Sequence, residues 1–134
     1  MPFPYPKATV LMASGPARDP DRKHLFIVLT EALGDPPEVL LVSLSSVPTS
    51  YQHDCSCELQ PGDHSFITHP SFIRFDLARI EPAQKLIDGV DQQIFSVREP
   101  ISEEVYQRIC AGLKQSPGSS LKVKNFLEWH VNLA

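Results

Sequence analysis

The chain has 134 residues, 42% hydrophobic and 21% charged, a length and balance that suit one domain with its own core and exclude a disordered polyelectrolyte. Its formal charge of −4 at pH 7 argues against a broad nucleic-acid surface held by counterion release but leaves room for a small basic patch. The longest apolar run, Val39 to Leu44, is broken by Ser43 and is far too short to span a bilayer, so no membrane segment is expected.

Thirteen prolines keep the regular elements short. Residues 1–7, with prolines at Pro2, Pro4 and Pro6, read as a flexible arm and lack the basic and apolar regions of a signal peptide. Ala8 to Ala13 reads as a first strand, ended by the turn chemistry of Ser14, Gly15 and Pro16. A polar loop leads to a basic cluster, Arg18, Arg22, Lys23 and His24. Leu25 to Leu29 and Val39 to Leu44 are continuous apolar runs without helical period, separated by Gly34, Asp35, Pro36 and Pro37; they predict two central strands.

Cys55 to Leu59 alternates and predicts another strand. Pro61 and Gly62 carry type II turn chemistry, and a hairpin return through His64 to Thr68 is expected. Phe72 to Leu77 alternates again. That gives about six strands within residues 8–80, the spacing of a small barrel. Residues 81–134 change to a helical pattern. Pro82 opens a short turn closing near Gly89, and Ser102 caps a helix with Glu103 and Glu104 in its first turn and Val105, Ile109 and Leu113 on one face. Leu121 to Leu133 predicts a last helix capped by Ser119 or Ser120. The fold expected is therefore α+β, one domain over 1–134.

Cys55, Cys57 and Cys110 make an odd set, and residues two apart in a strand bridge poorly, so reduced thiols and a cytoplasmic location are expected. His53, Cys55 and Cys57 would share a strand face that could hold zinc, but one-residue spacing along an extended strand spreads the sulfurs. Packing is the preferred reading, and no metal or other cofactor is expected.

The order of elements resembles the MazF/PemK-like toxin family. The resemblance is carried by the basic loop, the runs HLFIVL at 24–29 and VLLVSLSS at 39–46, the hairpin, the strand opened by Ser71, and ARIEPAQKL at 78–86; it covers about Ala8 to Leu86. It implies an SH3-like barrel with helices at its edge, a homodimer, an antitoxin partner, and metal-independent cleavage of single-stranded RNA. The family arginine that opens the second strand falls on His24, followed by Leu25 where the family usually has proline. The family threonine falls on Ser45, and Ser46 matches the serine after it. The loop glycine and glutamate-glutamine signature are replaced by RDPDR at 18–22.

RNA cleavage without a metal uses the substrate's 2′-hydroxyl, so the protein supplies a base, an acid and positive groups at the phosphate. His24, Ser45 and His64 are the candidate catalytic residues, and Arg22, Lys23 and Ser46 the candidate substrate-binding ones. Each has a plainer reading: a solvated loop rim for Arg22, Lys23 and His24, loop-forming serines before Pro48, and a packing histidine at the hairpin end. The alternative function is a non-catalytic protein-binding module, or a toxin of that kind, on the same barrel.

Overall fold

The computed structural model describes residues 2–13 and 22–133. The expected turn at Ser14, Gly15 and Pro16, and Arg18 of the basic cluster, lie outside them. The protein is α+β. The described residues form strands β1 (Thr9–Ala13), β2 (Lys23–Val28), β3 (Glu38–Ser46), β4 (Glu58–Leu59), β5 (Ser71–Ile73), β6 (Arg79–Pro82) and β7 (Ser96–Arg98). Helices α1 (Ala83–Asp91), α2 (Glu103–Gln115) and α3 (Leu121–Leu133) complete them, with a 3-10 turn at Phe75–Leu77.

All pairings are antiparallel and run β4-β5-β3-β2-β1-β7, with β6 also on β3. Among the described residues the sheet is open, its ends being the short strands β4 and β7. β3 organises it. One edge of β3 takes β2, with Phe26 opposite Ser43. The other takes β6 along its first half, with Leu41 opposite Arg79, and β5 along its last residues, with Ser45 opposite Phe72.

Side chains alternate across a strand, so the apolar runs of β2 and β3 feed a core on each face. Leu25, Ile27, Leu40, Val42 and Leu44 point to the larger core, where α2 and α3 bring Ile109, Leu113 and Leu127. Phe26, Val28, Val39 and Leu41 point to the other, covered by Ala83 and Leu86 of α1. Burying each large side chain is worth roughly 1.5–3 kcal/mol over leaving it exposed, which is why strands with no polar face are stable only in a sheet covered twice.

Several expectations are corrected. The stretch 1–7, read as a flexible arm, is held where described: the Lys7 N–H donates to the Val28 carbonyl at 2.9 Å, Lys7 Nζ reaches Glu103 at 2.8 Å, and Phe3 and Tyr5 pack on the second core. The strand expected from Cys55 begins only at Glu58, because Asp54 takes the Ser56 N–H at 2.9 Å and turns the chain. Residues 64–68 form no strand: the chain turns at 64–66, with the Ile67 N–H on the His64 carbonyl at 3.0 Å, and β4 pairs β5 instead. The strand expected through Leu77 stops at Ile73. β6 and β7 were not expected, and β7 lies in the part expected to be helical.

The helix ends follow the sequence more closely. Ser102 caps α2 by accepting the Val105 N–H at 3.2 Å, and Ser120 accepts the Val123 N–H at 3.3 Å. Gly62 takes φ +103°, with the Asp63 N–H on the Gln60 carbonyl at 3.0 Å, as a type II turn requires. No helix among the described residues is long and apolar enough to cross a membrane.

Candidate functional site, a cationic cleft

The second face of β3 changes character midway. Val39 and Leu41 are core, but Ser43 and Ser45, next on the same face, carry hydroxyls, and α1 covers only the apolar half. Where the apolar face ends, a cleft of about 980 Å³ begins. The cations Arg22, Lys23, Arg74, Arg79 and Arg98 line it, with His24 and His69, and no Asp or Glu is among the described residues that do. Five of the chain's twelve lysines and arginines thus meet at one concavity of a protein with charge −4.

These cations come from separate elements. Arg22 and Lys23 enter where β2 begins, opposite the end of β1, with Ala13 facing Lys23. Arg74 follows β5 and is oriented by Asp76, which accepts its Nε–H at 2.9 Å and its Nη2–H at 2.8 Å. Its third nitrogen, Nη1, lies 3.5 Å from Ser45 Oγ. Arg79, on β6, stacks over the Phe26 ring at 4.6 Å and lies 3.6 Å from Glu81. Arg98 arrives on edge strand β7. Arg22, Lys23 and Arg98 have no ion pair among the described residues.

His24 is half-buried on β2. Burial, followed by the positive charges of Arg22 and Arg74, holds it below the ordinary histidine value of 6.5. It is therefore mainly neutral at pH 7 and able to take a proton. His69 stands exposed at the rim, its Nδ1 3.2 Å from Thr68 Oγ1. Tyr51 and Phe72 add aromatic surface to the lining, with the Arg74 guanidinium 5.9 Å from the centre of the Phe72 ring.

Of the residues selected from sequence, the cleft gathers His24, Ser45, Arg22, Lys23 and Ser46. It does not gather His64, which is buried and engaged at both ring nitrogens. The Phe66 N–H donates to its Nδ1 at 3.0 Å, so Nε2 carries the proton and donates to the Glu99 carbonyl at 2.7 Å. Its work is to tie residues 64–66 to the segment after β7. Sequence reasoning missed Arg74, Arg79, Arg98 and His69. Arg74 was visible only as the polar position of an alternating strand, and Arg79 and Arg98 lie on strands too short to announce themselves.

Cys57 is a core residue, and burial pushes its thiol up to about 11. Cys55, two positions away, is exposed.

No family model matches this chain, and no curated protein or solved structure does either. The functional reading therefore rests on the cleft.

Proposed function

We propose that the cleft binds the phosphate backbone of single-stranded RNA and cuts it without a metal ion, as the resemblance to MazF/PemK-like toxins implies. The observation that carries this reading is the convergence of Arg22, Lys23, Arg74, Arg79 and Arg98 with two histidines on a cleft free of carboxylates among its described lining. Such a surface attracts a polyanion despite the negative net charge: Asp76 and Glu81 lie against Arg74 and Arg79, but Arg22, Lys23 and Arg98 have no ion pair among the described residues, and carboxylates farther off are screened. The exposed ring of Tyr51 suits an unpaired base, which stacks on side chains of that kind.

In the proposed reaction neutral His24 takes the proton of the 2′-hydroxyl, and that oxygen attacks the adjacent phosphorus. The bond to the 5′-oxygen breaks, leaving a 2′,3′-cyclic phosphate, and the leaving oxygen takes a proton from His69. Arg74, fixed by Asp76, faces the charge that grows on the phosphate oxygens, with the Ser45 hydroxyl as a further donor. Ser46 with Arg22 and Lys23 holds the strand. The finer fold reading belongs with this function: β3, shared between β2 on one edge and β5 and β6 on the other, is the feature that supports an SH3-like barrel. A homodimer and a neutralising antitoxin belong to the same reading.

The test is a titration of fluorescent single-stranded RNA over a salt series in chelator. Four or five phosphate contacts give a slope of log K against log salt of about −3. Affinity that does not change with salt would remove the phosphate contacts, and protein capture without RNA binding would favour the non-catalytic module.

A further inference from the structure

We propose that His53, Cys55 and Glu58 form a zinc site beside the cleft, with a fourth coordination position open to solvent. The proposal is independent of the RNA reading. It differs from the His53, Cys55 and Cys57 set weighed from sequence in one donor: Cys57 is buried in the core, and Glu58 takes its place. One donor atom from each of His53, Cys55 and Glu58 lies within 4.8 Å of the other two.

The separations can be compared with those a zinc ion imposes. Tetrahedral zinc, with sulfur at about 2.3 Å and nitrogen or oxygen at about 2.1 Å, sets its donors about 3.4 to 3.6 Å apart. Cys55 Sγ and His53 Nε2 are 3.6 Å apart, already at that spacing. His53 Nε2 and Glu58 Oε2 are 2.6 Å apart, a hydrogen bond that must open by less than about 1 Å to admit the ion. Glu58 and Cys55 are exposed enough to make that adjustment by rotation alone. Thiolate, imidazole and carboxylate together suit a borderline-soft ion over magnesium or calcium, which prefer oxygen alone.

Each donor is held by a different restraint. The His53 ring sits against Phe72, with centroids 4.9 Å apart. Asp54 accepts the Ser56 N–H at 2.9 Å with one oxygen and the Ser116 hydroxyl with the other, fastening the Cys55 loop to the end of α2. Glu58 is fixed in β4 opposite Phe72. Because Phe72 also faces Ser45 in the adjoining pair, Ser45, Phe72 and Glu58 form one row across the sheet. At about 4.8 Å per strand the Glu58 backbone lies about 10 Å from that of Ser45. The metal would fasten the loop that brings Tyr51 to the cleft wall.

The test is titration of reduced, metal-free full-length protein with Co²⁺, followed by displacement with Zn²⁺. The expected result is one Co²⁺ per chain, a thiolate-to-cobalt charge-transfer band in the near ultraviolet, tetrahedral d–d absorption in the visible, and loss of both on adding Zn²⁺. C55S should abolish the charge-transfer band, H53A and E58Q should weaken binding tenfold or more, and C110S should leave it unchanged. Cys55 is exposed, so C55S keeps the fold, which an unchanged thermal melt verifies. A wild-type protein without the band, or a C55S protein that retains it, overturns the site.

Discussion

Arg74 and Asp76 are joined by two hydrogen bonds, Nε to Oδ1 at 2.9 Å and Nη2 to Oδ2 at 2.8 Å, which leave Nη1 toward Ser45. The same pairing pulls Asp76 below the ordinary carboxylate range and raises Arg74, so both stay charged throughout the working pH range. A bidentate pair fixes the plane of a guanidinium as well as its position. R74A should therefore weaken RNA binding about tenfold or more and make the salt slope shallower by about 0.7. D76N keeps the cation but loosens its orientation, and a smaller loss is expected. Fluorescence anisotropy on both variants checks the order; equal affinity for R74A and wild type would remove Arg74 from the contact.

The pH profile follows from His24. A base must be unprotonated, and burial with Arg22 and Arg74 holds His24 below 6.5. On the acid side, cleavage should thus fall as His24 becomes protonated, with a midpoint below 6.5. Removing the Arg74 charge relieves part of that depression, so the acid limb of R74A should move to higher pH. Single-turnover rates across the acid range measure both curves, and an R74A limb shifted to lower pH contradicts the assignment.

His24 and His64 should separate cleanly. H64A leaves the Glu99 carbonyl and the Phe66 N–H without the partner that now joins them. The cost is about 1–3 kcal/mol, seen as a melting temperature lower by several degrees. Cleavage per folded molecule should stay within about twofold, since His64 is not among the residues lining the cleft. H24A should do the reverse, with little change in melting and a large loss of rate. Thermal melts paired with rates corrected for folded fraction decide it.

The central strands and the last two helices were legible because their signals are local. Leu25 to Leu29 and Val39 to Leu44 have no polar face, and Ser102 with Glu103 and Glu104 marks the start of α2 where Ser102 caps it. The short strands were not, because three residues such as Ser96–Arg98 carry no period to read. The site divides the same way. Arg22, Lys23 and His24 stand together in sequence, and the apolar-to-hydroxyl change at Ser43 and Ser45 is written along one strand. Arg74, Arg79 and Arg98 join them only through sheet pairing, a long-range relation that no window along the chain contains. His64 is buried and bonded to two backbone groups, an environment that its place after the Pro61 and Gly62 turn does not announce.

Packing between α2 and the loop before β4 leaves no room at Gly112. A Cβ there would lie 2.8 Å from the Ser56 carbonyl oxygen, 3.0 Å from Cys57 Cβ and 3.0 Å from the Phe75 ring. Backbone and core atoms cannot retreat cheaply, so G112A should destabilise by about 1–3 kcal/mol despite the better helix propensity of alanine. Urea unfolding should show a lower midpoint with unchanged slope; a midpoint equal to or above wild type would mean the helix sits further from the loop.

The central claim is that the cationic cleft cleaves RNA through His24. The most direct measurement incubates purified wild-type protein and H24A with single-stranded RNA in excess chelator and identifies the product ends by mass spectrometry. The account predicts 2′,3′-cyclic phosphate ends from wild type, with a rate about a hundredfold or more below it in H24A. Folded wild-type protein that leaves the RNA intact, or an H24A protein that cuts as fast as wild type, would contradict it.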